Sequence, residues 1–224
     1  MLKVRRSLFL SLLFGLAAGV PAARSQSRTI RGDRWLTITE LNGYVEILPF
    51  QGSRRQARQG DRLSSVGDVL ITGADASVRL EVDLATGFVS MAENSQLQIR
   101  TLSVTNTGAR ITQLFVLQGQ VRLRTRPVTN PITRIEIYSP AFVSVVRGTE
   151  FGVSVGPEGQ TGVATLEGSV FSSAQGQTVM VEALQQSVIL PREPPTPPAP
   201  LRDATDIYKE ELEPLSGQQD QSGR

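Results

Sequence analysis

The chain has 224 residues, no cysteine and no histidine, and carries 23 basic against 21 acidic side chains. It therefore has no imidazole base near neutral pH, no thiol nucleophile and no soft or imidazole metal ligand, which closes the commonest hydrolytic, thiol-transfer and zinc chemistries to it. Without disulfides, stability has to come from an apolar core, and a body of this size can bury enough surface to supply one.

Taken in order, residues 1–25 open with Lys3, Arg5 and Arg6 and continue into an apolar run from Leu8 to Val20. Pro21 and the small residues from Ala22 to Ser25 follow. The run is short for a spanning helix and fits a secretory signal peptide cut near Ala22 to Ser25. A periplasmic or secreted protein is expected, with no membrane span after cleavage and, lacking a cysteine behind the signal, no lipid anchor. Four basic residues leave with residues 1–25, so 19 remain against 21 acidic ones, and the sequence pI of about 9.4 overstates the basicity of the mature chain. That balance gives no reason to expect a nucleic-acid or anionic-membrane partner.

From Trp35 to Leu190 short runs rich in Val, Ile, Leu and Thr alternate apolar with polar residues and are punctuated by Gly, Asn and Asp, the pattern of successive strands. In Ser77 to Asp83, Val78, Leu80 and Val82 share one face while Arg79, Glu81 and Asp83 share the other. A shift of about 75 residues lays Ile71-Thr72-Gly73 on Val146-Arg147-Gly148 and Thr86 to Met91 on Thr161 to Leu166. A unit of leucine, polar residue, glycine, any residue and valine recurs at Leu41–Val45, Leu117–Val121 and Leu166–Val170. Glycine there suits a bulge or a positive-φ corner. The expected fold is all-β, a duplicated β-sandwich or β-roll of short strands, with a β-solenoid as the alternative.

After Leu190 the composition changes. Residues 191–200 hold six prolines and read as an extended linker, and residues 201–224 as an acidic, disordered tail.

The stretch Pro140 to Val155, PAFVSVVRGTEFGVSV, reads as two strands joined by a tight charged turn. It resembles the signature region of the FecR-like domain family, envelope proteins typified by the periplasmic regulator of iron-dicitrate transport. Gly60 to Leu63, Val69 to Gly73, Glu93 to Ser95 and the glycine units agree with that family, so the resemblance covers about residues 35–190. It makes Pro140, Arg147, Gly148, Thr149 and Phe151 the structural signature and implies a role in binding or signalling at the envelope. The anti-sigma segment and membrane helix that signalling members carry, and the secretin-like domain of others, have no counterpart here. Neither the anti-sigma role nor coupling to an iron transporter is carried over.

Glu81, Asp83 and Glu93, or Glu150, Glu158 and Glu167, could in principle form a carboxylate pair, but on alternating strands such charges belong to the wet face. No catalytic residue, cofactor or metal ligand is assigned, and no enzyme is expected. Arg122, Arg124 and Arg126 alternate along one strand and offer a polyanion-binding face, and Arg54, Arg55, Arg58 and Arg62 crowd one loop and the strand after it. Arg147 lies in phase with Val143 and Val145 and is expected either to turn out at a hairpin or to pair inwardly with Glu150. The function expected is a non-enzymatic binding or signalling-interaction module with an envelope protein partner, with polysaccharide binding through the arginine faces as the alternative.

Overall fold

A computed structural model describes residues 34–83, 86–126, 130, 132–146 and 148–201; the expected signal peptide and nearly all of the acidic tail lie outside the described residues. The described residues contain no α-helix, and no helix long and apolar enough to cross a membrane. The strands are β1 (Leu36–Asn42), β2 (Val45–Leu48), β3 (Arg55–Gln56), β4 (Arg62–Leu63), β5 (Val69–Thr72), β6 (Ser77–Val82), β7 (Gly87–Met91), β8 (Gln96–Val104) and β9 (Arg110–Thr125). The second half adds β10 (Arg134–Tyr138), β11 (Val143–Val146), β12 (Glu150–Val155), β13 (Thr161–Glu167), β14 (Ser169–Ala174), β15 (Gln177–Glu182), β16 (Gln185–Ile189) and β17 (Ala199–Pro200).

The strands form one open sheet folded into two layers. The first layer runs β3-β2-β5-β8-β9-β10-β11-β14-β15 and the second β4-β1-β6-β7-β9-β12-β13-β16-β17. The long β9 belongs to both, pairing with β8 and β10 before Gly119 and with β7 and β12 after it. The alternation read from Ser77 to Asp83 puts Val78, Leu80 and Val82 into the core between the layers, beside Val45, Ile47 and Leu70 from the opposite layer. The expected all-β fold is what the structure shows. Among the described pairs only β9 with β10 is parallel, so the coils of a β-solenoid are not built.

Each recurrent glycine marks a corner. Gly43, Gly119 and Gly168 have φ of 70°, 86° and 78°, and at each the chain passes from one layer to the other. At Gly119 a Cβ would lie 2.3 Å from Ser95 Oγ and 2.5 Å from Ser95 Cα, so both the φ and the close approach require glycine.

The central stretch corrects one expectation. β11 and β12 do not form a hairpin: β11 pairs with β10 and β14 in the first layer, while β12 pairs with β9 and β13 in the second. The turn carries the chain across the core, and a pattern of strand, glycine and strand fits that path as well as a hairpin.

The proline-rich stretch is also more than a spacer. Thr196 N donates to Val188 O at 2.9 Å, Ser187 Oγ donates to Thr196 O at 2.7 Å, and β17 pairs with Gln185 and Gln186. Residues 191–201 thus strap the outer edge of β16, so the ordered body extends past Leu190.

Candidate functional site

The signature residues do different jobs. Phe151 is fully buried on β12, opposite Leu123 and Thr165. Thr149 is buried and tied to the end of β9: its N–H donates to Thr125 Oγ1 at 2.9 Å, and its carbonyl accepts from Thr125 N at 2.9 Å. Gly148 is exposed with φ of 59°. Pro140 is exposed on the turn from Ser139 to Phe142, where Ser139 N donates to Phe142 O. Arg147 lies outside the described residues.

Strand register explains where the three arginines go. Arg122 stands opposite Gly152 and Arg124 opposite Glu150, so both point to the same outer face of the second layer as that carboxylate. Arg122 Nη2 donates to Glu150 Oε1, and Arg124 Nε lies 3.5 Å from Oε2. The partner expected for Arg147 is therefore engaged by two arginines from the neighbouring strand. Arg126 is exposed, with its guanidinium 5.8 Å from the Phe88 ring. Arg124, Thr125 and Arg126 border a cleft of about 430 Å³ with Phe88, Gly148, Thr149 and Glu167. A small anion could meet Arg124 and Arg126 there, against the opposing charges of Glu150 and Glu167.

Asp83 is buried against Arg34, and Glu93 Oε2 accepts from Asp75 N at 2.6 Å. Glu158 and Glu167 are exposed. Among the described residues no three Asp or Glu side chains cluster as a metal site.

A second polar centre was not anticipated from the sequence. On the outer face of the first layer Glu136 accepts from Tyr138 Oη at 2.7 Å, from Gln113 Nε2 at 2.6 Å and from Arg134 Nε. Burial pushes the Glu136 carboxyl up, but the bonds from Tyr138, Arg134 and Gln113 together outweigh it and hold the group below its ordinary range. Burial, then the bond to Glu136, raises Tyr138 to about 12. The visible signal was a lone glutamate in the otherwise apolar run Ile135-Glu136-Ile137.

Residues 68–171 match the family model described as FecR protein. No curated protein matches the sequence. Two crystal structures of a provisionally assigned anti-sigma factor from Parabacteroides distasonis are similar at 10% identity, with TM-scores of 0.47 and 0.48. Each alignment covers 59% of this chain and 59% of that one.

Proposed function

We propose, from the match of residues 68–171 to the FecR protein family model, that the chain is a non-enzymatic binding or signalling-interaction module of the cell envelope. In this reading residues 1–25 export it, and a protein partner docks at a sheet edge. The supporting observation is a contrast among the four edges of the two layers. β3 and β4 are two residues long and carry Arg55 and Arg62, and β16 is strapped by residues 191–201. Short length, charge and proline are the usual means of blunting an edge. β15 has none of them over its middle: it is six residues long, pairs with β14 alone among the described residues, and exposes Met180. Its outward N–H and C=O groups suit an added strand.

The alternative, a polysaccharide on the Arg122, Arg124 and Arg126 face, has thinner support, since Glu150 already engages two of the three. The full mature chain, used as bait in envelope extract, separates the two. A protein retained through high salt and lost with Met180→Lys supports edge docking. Salt-sensitive retention of acidic glycan with no protein partner overturns it.

A further inference from the structure

The outer face of the first layer holds an open groove of about 580 Å³ that begins at Arg100 and ends at the β14–β15 turn. Its floor follows the strand register. Phe115 on β9 stands opposite Tyr138 on β10, Tyr138 opposite Val143 on β11, and Val143 opposite Ser173 on β14, which stands opposite Thr178 on the open edge strand β15. These residues share one face, so the groove is a rung across five strands that runs out at the edge considered above. The signature turn at Pro140 forms part of its wall.

Among the described residues Arg100 is the one charged side chain lining this groove. It is exposed, and its guanidinium lies 4.0 Å from the Phe115 ring centre and 5.3 Å from that of Tyr138. Two rings hold the guanidinium while its N–H donors project from the edge of its plane, so it is pre-organised at little further entropic cost. Nearby Glu136 is committed to Arg134, Gln113 and Tyr138, and among the described residues no carboxylate forms an ion pair with Arg100. This contrasts with Arg122 and Arg124, which share Glu150.

A single oriented cation at the end of a half-buried apolar rung, with no acid in the lining, is complementary to a carboxylate carried on an apolar, extended backbone. We infer that this groove receives an acidic segment of the protein partner, with Arg100 taking its carboxylate and the stretch from Tyr138 to Val143 taking its apolar side chains. This rests on the protein-binding reading above and adds the partner's chemistry and a second point of contact. A glycan fits less well, because the guanidinium already covers the ring face of Phe115 on which a sugar would stack.

The test is an NMR titration of the labelled full mature chain with a short peptide, acetyl-Glu-Val-Tyr-Val-Glu-amide. Its glutamine counterpart and tetragalacturonate serve as comparison ligands. The expected result is shifts confined to the Arg100 side chain and to residues 138–143 and 173–176. Affinity should fall about tenfold in Arg100→Glu, less in Arg100→Lys, and also with the glutamine peptide. No shift at millimolar peptide, or binding unchanged in both Arg100→Glu and Arg100→Gln, overturns the inference. Tetragalacturonate shifting the groove where the peptide does not would reassign it to an acidic glycan. A protein captured equally by wild type and Arg100→Glu in the extract experiment, with no peptide shifts, would remove the groove and leave the edge-docking module standing.

Discussion

Arg34 and Asp83, 49 residues apart in the chain, form a buried ion pair that locks the start of the domain to both layers. Arg34 Nε donates to Asp83 Oδ1 at 3.1 Å and Nη2 to Oδ2; Nη1 donates to the carbonyls of Ser103 and Ile111, and Nη2 also to Thr112 Oγ1. Asp83 directly follows β6 of the second layer, whereas Ser103, Ile111 and Thr112 sit on β8 and β9 in the first. Removing one member of such a pair leaves a desolvated charge, so Arg34→Ala is expected to cost roughly 3–5 kcal/mol. Urea unfolding checks this: a loss under about 0.5 kcal/mol, the range of an ordinary surface substitution, would show that the clamp contributes nothing.

Two positive-φ glycines give a paired prediction. Gly60 and Gly119 have nearly equal φ, 88° and 86°, but a Cβ on Gly60 meets nothing within 4 Å while one on Gly119 meets Ser95. Gly60→Ala should show the left-handed backbone cost alone, about 1–2 kcal/mol. Gly119→Ala should exceed it, because Ser95 Oγ also accepts the Gln120 N–H at 2.9 Å and cannot move without breaking that bond. Equal losses in thermal or denaturant unfolding would mean that the close approach at Ser95 is relieved at no cost.

Much of the fold was legible because period-two alternation is a local signal. Val78, Leu80 and Val82 identify a half-buried strand wherever it pairs, and Gly43, Gly119 and Gly168 identify corners. What was not legible is non-local. The same strand, glycine, strand pattern serves for a hairpin and for a passage between layers, so β11 and β12 were expected to pair and do not. The proline-rich stretch has the composition of a spacer, and only the main-chain groups of Val188 and Gln186 show that it lies against an edge. Arg34 stands just before the first strand, and nothing near it in sequence points to Asp83. The site was legible in type only: the alternation of Arg122 and Arg124 gave their common face, but their pairing with Glu150 was not read, because sequence distance hides a partner on a neighbouring strand.

The Glu150 pairs should be unequal. The Arg122 side chain is 13% exposed and that of Arg124 47%, against 9% for Glu150. Arg122→Ala removes the partner of a largely buried carboxylate and should destabilise clearly, whereas Arg124→Ala should stay within the roughly 0–1 kcal/mol of an exposed pair. In an Arg122→Ala, Glu150→Ala double-mutant cycle the coupling should be positive and larger than in the matching Arg124 cycle. Similar couplings would show that burial does not separate the two arginines.

Glu136 ties stability to pH in a direction its hydrogen bonds dictate. Its carboxyl is held below the ordinary glutamate value in the fold, so the unfolded chain takes up its proton first as pH falls. The contribution is therefore full above the ordinary glutamate range and lost as pH drops through the lowered native value. Glu136→Gln keeps an acceptor for Tyr138 but removes the titrating group, so it should flatten the acid limb of the stability profile while changing stability least at the most acidic end of that limb. Asp61 is lowered in the same way, chiefly by its bond from Arg55, and will keep part of the slope in that variant. Unfolding midpoints at a series of pH values from neutral into the acid range provide the measurement. A Glu136→Gln profile parallel to wild type would show that the Tyr138, Arg134 and Gln113 bonds do not favour the charged form in the folded protein.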